Sequence, residues 1–381
     1  MSDTPKAFAC YRLPYADTYT RIEQIDGTPE NINNIEDTVG KSGFLVAPFH
    51  QTHLCPTLLI RADRKETLAI PPEAPWTDEA AGTASTEQDA RTYTEAFIRF
   101  HQALTDGRFN KLVLSRCLEI PNGYRRNTEG LFAAACHRYP RMFIALVSAP
   151  QCGTWFVTTP ELLLENEGDR WHTIALAGTM KATGQPEWSA KNIEEQRYVS
   201  RFIADALRPF SDDCTEEGPY TARAGHLIHL RSDFHFSLRN HETDRHHTLG
   251  RLLRTLHPTP AVCGLPKEEA FRFILDNEPT PRRYYSGFMG PFCMPETHLF
   301  VSLRCMEITD TRYRLYAGGG LLKDSVGEQE WQETEIKLDT IRNLLGQRAS
   351  DSDMKPSEHE HSIFSKTVRM HPDHPAGGSR Y

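Results

Sequence analysis

The chain of 381 residues is 39% hydrophobic and 25% charged and carries a net charge of −8. Such a composition suits a soluble globular protein and disfavours general nucleic-acid binding, which draws on basic surface. No apolar run approaches the ~18 residues of a membrane span, and the opening segment, with Asp3, Asp17, Glu23 and Asp26, lacks the apolar core of a secretory signal peptide.

Residues 1–75 read as short strands and turns, with Phe44-Leu45-Val46-Ala47 and Leu58-Leu59-Ile60 as apolar runs. A polar loop over 76–90 follows. Ser85 and Gln88 have the spacing of a capping box for a helix to about Thr105 that turns Phe97, Phe100, Ala103 and Leu104 inward. Next come a strand over 111–120, a short helix near 129–138, and strands near 142–148 and 154–165. The clearest helix spans 188–208, where Glu195, Val199, Phe202, Ala206 and Pro209 follow helical spacing. Further strands are predicted at 226–238, 298–308 and 312–318. Ser325-x-x-Glu328 again fits a capping box, for a last helix ending near Leu345. The polar tail, 347–381, reads as flexible. Strands and helices mix without a regular βαβ alternation, which predicts an α+β fold. The nine cysteines include no C-x-x-C pair, so reduced thiols and a cytoplasmic location are expected.

The last helix is the most informative piece. Glu330, Glu333 and Lys337 share one face, which continues into Ile341 and Leu344. Its N-terminus favours an anion, and Gly318-Gly319-Gly320 lies just before it. An exposed helix with ordinary ion pairs has the same spacing. Glu195 faces the buried side of its own helix, with Glu194 turned away; a buried carboxylate needs a cation, and one or two such carboxylates suit Mg2+. Lys111 shares a strand face with Val113 and Ser115. It is either a charge at a strand end or a catalytic base, and a base would need its pKa lowered from the usual ~10.4. Glu161 precedes the apolar Leu162-Leu163-Leu164, where a carboxyl can hold its proton and act as an acid. Arg304, inside Val301-Ser302-Leu303-Arg304-Cys305, suits bidentate carboxylate binding or a structural ion pair. His229 is equally a donor or a satisfied core histidine. The tail histidines His359, His361, His371 and His374 lack zinc-like spacing with cysteines, and no phosphate-binding loop is present.

Several segments together resemble the chorismate-utilising enzymes, the family of isochorismate, salicylate, anthranilate and aminodeoxychorismate synthases. They are Lys111-Leu112-Val113-Leu114-Ser115-Arg116, Thr159-Pro160-Glu161-Leu162-Leu163, Leu176-Ala177-Gly178-Thr179 and Leu256 to Gly264 (LHPTPAVCG). The series continues with Arg282-x-x-Tyr285-Ser286-Gly287, Ser302-Leu303-Arg304, Tyr316-Ala317-Gly318-Gly319-Gly320 and Glu330 to Lys337. The likeness runs from about Phe97 to Leu345.

The resemblance implies one large domain over 1–346 of two stacked antiparallel sheets with outer helices, residues 1–75 being its variable part. It implies that Glu195 and Glu333, with Glu330 close by, hold Mg2+. Arg304, Lys337, His229, Thr179, Tyr285, Ala261 and the Gly318, Gly319 and Gly320 backbone would hold the substrate. Ammonia-using relatives lack the lysine found at Lys111, and aminodeoxychorismate synthase has a lysine where Ala177 stands here. A lysine base without a lysine nucleophile suits water attack, so isochorismate synthase is the nearest member. In that reading Lys111 deprotonates water for attack at ring C2, and Glu161 protonates the departing C4 hydroxyl. Salicylate synthase, which goes on to eliminate pyruvate, is the runner-up. A non-catalytic chorismate- or metal-binding protein is the alternative of another class. No glutaminase subunit, nucleic acid or membrane partner is expected, and the protein is expected to be a monomer. The product would feed menaquinone or siderophore synthesis. Where the family often has Glu-His, this chain has Glu195-Gln196, which should tune the site without abolishing it.

Overall fold

A computed structural model describes residues 6–72, 84–122, 128–182, 186–239 and 245–345. The tail over 347–381, with its four histidines, lies outside the described residues.

In chain order the first part supplies β1 (Ala7–Arg12), β2 (Thr18–Gln24), β3 (Glu30–Ile32), β4 (Gly43–Ala47), β5 (Thr57–Ile60) and β6 (Arg64–Ala69). Helix α1 (Glu87–Thr105) leads to β7 (Lys111–Pro121), α2 (Thr128–Arg138), β8 (Phe143–Ala149), β9 (Gly153–Thr159), β10 (Leu162–Glu167) and β11 (Arg170–Lys181). After α3 (Ala190–Leu207) come β12 (Thr215–Ala224), β13 (Leu227–Ser237), α4 (Arg245–Leu256), β14 (Gly264–Leu265) and α5 (Lys267–Asn277). The last part is β15 (Phe288–Phe292), β16 (His298–Val301), β17 (Cys305–Ile308), β18 (Arg312–Leu321) and α6 (Gly327–Leu345).

Two nine-stranded sheets result, ordered β14-β7-β18-β17-β9-β8-β1-β2-β6 and β12-β13-β11-β10-β16-β15-β4-β5-β3. All their pairings are antiparallel, as the α+β reading requires. One core lies between the sheets and joins Phe143, Val147 and Trp155 of the first to Phe44, Ile174 and Phe300 of the second. Helices α2 and α6 cover the far side of the first sheet, and α3 and α4 that of the second. Helices α1 and α5 pack at the β14–β7 end of the first sheet through Phe100, Ala103, Ala270 and Ile274. Each fully buried Leu, Ile or Phe in these layers contributes about 1.5–3 kcal/mol.

Four sequence expectations need correction. The cap of α1 is Thr86, whose hydroxyl accepts from the Asp89 N–H while the Asp89 carboxylate accepts from the Thr86 N–H; it is not Ser85 with Gln88. Ser85 instead bonds Glu335 and accepts from Arg116 and Arg342. Ser325 does not cap α6: its hydroxyl accepts from the Leu322 N–H at 3.1 Å, closing a turn ahead of the helix. The strands predicted over 154–165 and 298–308 each break in two, and the halves belong to different sheets. Pro160 has no N–H to continue a ladder, and Arg304 takes a left-handed φ of 47°. Strand β12, nearly all exposed and interrupted by Gly218-Pro219, has no apolar alternation to betray it.

Candidate active site

The two sheet crossings run side by side. The Thr158 N–H donates to the Arg304 carbonyl, and the Val301 N–H donates to the Glu161 carbonyl. Glu161 and Arg304 are thereby delivered to the same cavity from segments more than a hundred residues apart in the chain. The left-handed backbone at Arg304 costs about 1–3 kcal/mol, and the crossing hydrogen bonds hold it.

Of the residues singled out from sequence, Glu161, Thr179, Glu195, His229, Ala261, Tyr285, Arg304, Gly318, Gly320 and Lys337 line this one cavity. Lys111, Gly319, Glu330 and Glu333 are outside its lining: Lys111 contacts Glu195, Glu333 contacts Lys337, and Glu330 approaches Gly319. Lys111 is fully buried, with Nζ 3.1 Å from Glu195 Oε1. Lys337 donates to Glu333 Oε1 at 2.7 Å and to the Gly318 carbonyl at 2.9 Å. Glu330 pairs with Lys191.

The glycine run earns its place sterically. A Cβ on Gly320 would stand 2.0 Å from Glu195 Oε1 and 2.9 Å from Lys111 Cε. On the opposite face of the strand, a Cβ on Gly319 would stand 3.4 Å from Glu330 Oε2 and 3.5 Å from Glu333 Oε1. Bare backbone therefore lets carboxylates from α3 and α6 converge on β18 from both sides. Where the sequence suggests close approach of a ligand, the groups seen against this backbone are the protein's own carboxylates.

Burial decides most protonation states. Glu161 is desolvated, which pushes its pKa up to about 7 although Lys111, Lys337 and Arg304 pull the other way. Glu195 is equally buried, but Lys111 and Lys191 outweigh the desolvation and hold it below the usual carboxylate range. Burial, reinforced by Glu333, raises Glu330 against the pull of Lys191. His229 is held well below its ordinary value by burial and by the neighbouring Arg304 and Lys337, so it is neutral. Its Nδ1–H donates to the Gly178 carbonyl at 2.9 Å, and its Nε2 accepts from Arg304 Nη2 at 2.6 Å. His229 is thus a brace for Arg304, whose own pKa burial lowers to about 10.

The donor set suits a hard dication. Glu330 Oε2 is buried with no hydrogen-bond partner; Glu333 stands beside it over Gly319, and Glu195 approaches the next residue, Gly320. Among the described residues these three do not form a tight three-ligand cluster. Mg2+ needs only one or two carboxylates, with water and an anionic ligand completing its shell.

Lys191 and Glu278 escaped the sequence reading. Lys191 lies one helical turn before Glu195, a spacing that could have revealed it. Burial works against its charge, and Glu330 with Glu195 outweighs that, so its pKa is raised. Glu278 and Arg282 form a buried pair beneath the cavity: Glu278 accepts from the Ser115 N–H at 2.7 Å, and Arg282 donates to the Val113 and Val262 carbonyls. Their i, i+4 spacing was equally visible.

Residues 50–346 match the family model described as chorismate binding enzyme. The chain belongs to the chorismate-binding enzyme family. It is similar to the isochorismate synthase DhbC of Bacillus subtilis, 28% identical over 372 residues and covering 88% of this chain and 89% of the relative. It is also similar to the isochorismate synthase EntC of Escherichia coli, 30% identical over 252 residues, a match that spans 62% of each chain. The solved structure of MenF, the menaquinone-specific isochorismate synthase of Escherichia coli, superposes with a TM-score of 0.73 over 90% of each chain at 22% identity, a likeness of fold. Among the described residues of this chorismate-binding enzyme, no helix is long and apolar enough to cross a membrane.

Proposed function

We propose that this protein is an isochorismate synthase: a Mg2+-dependent isomerase that adds water at C2 of chorismate and releases the C4 hydroxyl. The observation that carries the reading is the pairing of Glu161, a buried carboxyl that still holds a proton near neutral pH, with the fully buried Lys111 beside the same cavity.

Arg304, fixed by His229, and Lys337, fixed by Glu333 and the Gly318 carbonyl, offer donors to the carboxylates of an anionic ring. Tyr285, Thr179 and Ala261 shape the wall around it. Glu195 and Glu333, with Glu330 beside them, are the groups that would hold Mg2+. When bound, it supplies positive charge to offset the ring carboxylate. Lys111 acts as the base only as the neutral amine, its ammonium proton having first passed to solvent; it then takes the proton of the attacking water, and Glu161 gives its proton to the departing hydroxyl. Bond changes balance: C2–O forms, C4–O breaks, and one water enters as one leaves. Ala177 stands where a lysine nucleophile would be needed for another outcome, which leaves water as the attacking group.

Nine cysteines with no C-x-x-C pair suit a reducing cytoplasmic setting. We take the protein to act as a monomer without a glutaminase subunit, within a domain over 1–346, feeding menaquinone or siderophore synthesis.

The test is incubation with chorismate and Mg2+, with and without EDTA, and chromatographic resolution of the products. Isochorismate that forms only with the metal, stops at partial conversion and reverts when supplied alone supports the proposal. Salicylate with pyruvate would reassign the enzyme to salicylate synthase, and absence of turnover under both conditions would overturn the reading.

A further inference from the structure

A second polar cluster lies at a neighbouring cavity, which shares Pro160, Leu176 and His229 with the first. Antiparallel register sets His235, His172, Glu165 and His298 directly opposite one another on the adjacent strands β13, β11, β10 and β16. Asp233 is two residues from His235 and so shares its face of the strand. An i, i+2 pair on one strand and a residue directly opposite on the next place three side chains within chelating reach. Here one ligand atom each from His172, Asp233 and His235 lies within 4.8 Å of the others. The two imidazoles are stacked, with centroids 4.5 Å apart and planes 12° apart.

We propose that His172, His235 and Asp233 form a binding site for a borderline transition-metal dication of the zinc type, separate from the magnesium cleft. Two imidazoles and one carboxylate are the donors such an ion prefers, whereas Mg2+ prefers an all-oxygen shell.

The surroundings are those of a built metal site. His172 Nδ1 bonds Glu165 Oε1 at 2.8 Å, and Glu165 Oε2 is held in turn by His298 Nδ1 at 3.0 Å. A carboxylate on the far nitrogen fixes the tautomer and direction of a ligating histidine. That leaves Nε2, 2.7 Å from Asp233 Oδ1, as the coordinating atom. The ion takes the place of the proton shared between these two atoms, which leaves to solvent; no redox change is involved. Tyr220 stays on Asp233 Oδ2, Arg231 Nε donates to both carboxylate oxygens at 3.1 Å and Arg231 Nη2 donates to Oδ1 at 2.5 Å, so the ion shares Oδ1 with Arg231. With Arg231 this close, binding is weaker than in a cysteine-rich structural zinc site. His172, Glu165 and His298 line a cavity between the sheets, which gives the ion a route in and a water the fourth position.

The experiment titrates Co2+ into the full-length protein at saturating Mg2+ and follows the visible ligand-field bands. Wild type should bind one equivalent with the strong bands of a nitrogen-containing, low-coordinate site. His235→Ala should weaken that affinity by about 10–100-fold, the effect expected when a ligand or its support is lost. The tail histidines are kept in both proteins, so binding there is a common background. Equal affinity and equal spectra in wild type and H235A would overturn the proposal. Should H235A fail to fold by circular dichroism, His235→Gln preserves a planar polar group at the position, and the same comparison decides.

Discussion

On one side of α6, Glu335 takes hydrogen bonds from Arg116, Arg342 and Ser85, Arg116 Nε donates to Thr334, and the Arg116 guanidinium lies 3.9 Å over the Trp331 ring. On the other, Glu330, Glu333 and Lys337 face the bare backbone of β18, and Glu330 Oε2 is left buried without a partner. Both sides use glutamate and a long cation at helical spacing. The first is a network whose charges are spent on one another, and what it leaves unmatched is a donor, Arg342 Nε. The second keeps an acceptor in reserve beside a cavity, and an unmatched buried acceptor costs free energy that a bound cation can return. Pairing alone therefore does not separate a structural cluster from a functional one; a leftover acceptor, which a cation can fill, does.

Several substitutions would break or sharpen that contrast. The largest effect belongs to Lys111→Ala, which should lower turnover by about 10²–10⁴-fold, the usual worth of a general base, while thermal unfolding shows a folded protein. Turnover near wild type would remove Lys111 from the mechanism.

Glu161→Gln should cut turnover by a similar or smaller factor and stabilise the fold at alkaline pH. The folded pKa is raised from 4.5 to about 7, so the native state keeps a proton that the unfolded chain releases between those values. Stability is lost as pH rises through that window, reaching a penalty of about 3 kcal/mol above it. Denaturant melts at pH 8 should favour the variant, and melts near pH 4 should not. In wild type, the forward rate should fall as pH climbs past about 7 and the acid loses its proton.

On the first side, Arg116→Met should cost about 2–3 kcal/mol by stranding part of the Glu335 network, yet leave the turnover of folded protein little changed. A collapse of turnover with intact stability would show that the two sides are not independent. Gly320→Ala is the counterpart on the second side. Its Cβ meets Glu195 Oε1 at 2.0 Å, so Glu195 must shift; about 1–3 kcal/mol of overpacking is expected, with a weakened response of activity to added Mg2+. Smallest is Thr86→Ala, worth about 1 kcal/mol of cap and measurable as a lower melting temperature with kinetics unchanged.

Local pattern was enough for much of this molecule. The inward faces of α1 and α3, the burial of Glu195 with Glu194 exposed, and the shared face of Glu330, Glu333 and Lys337 all follow from a period of 3.6 residues, which the chain carries wherever it folds into a helix. The motif series was also legible, because its order survives in one dimension. What only the tertiary structure decided is where the chain leaves one sheet for the other. The predicted strands through Glu161 and Arg304 are continuous in apolar pattern, and both break at the point where their charged residue enters the cavity. The glycines looked like an approach for ligand, and the space they leave is shared with carboxylates from two helices. The row of His235, His172, Glu165 and His298 is invisible in sequence, since register between strands is set by which faces the two sheets bury against each other. Periodicity is a property of neighbours along the chain. The site depends on crossings and registers between distant segments, and those are chosen by packing.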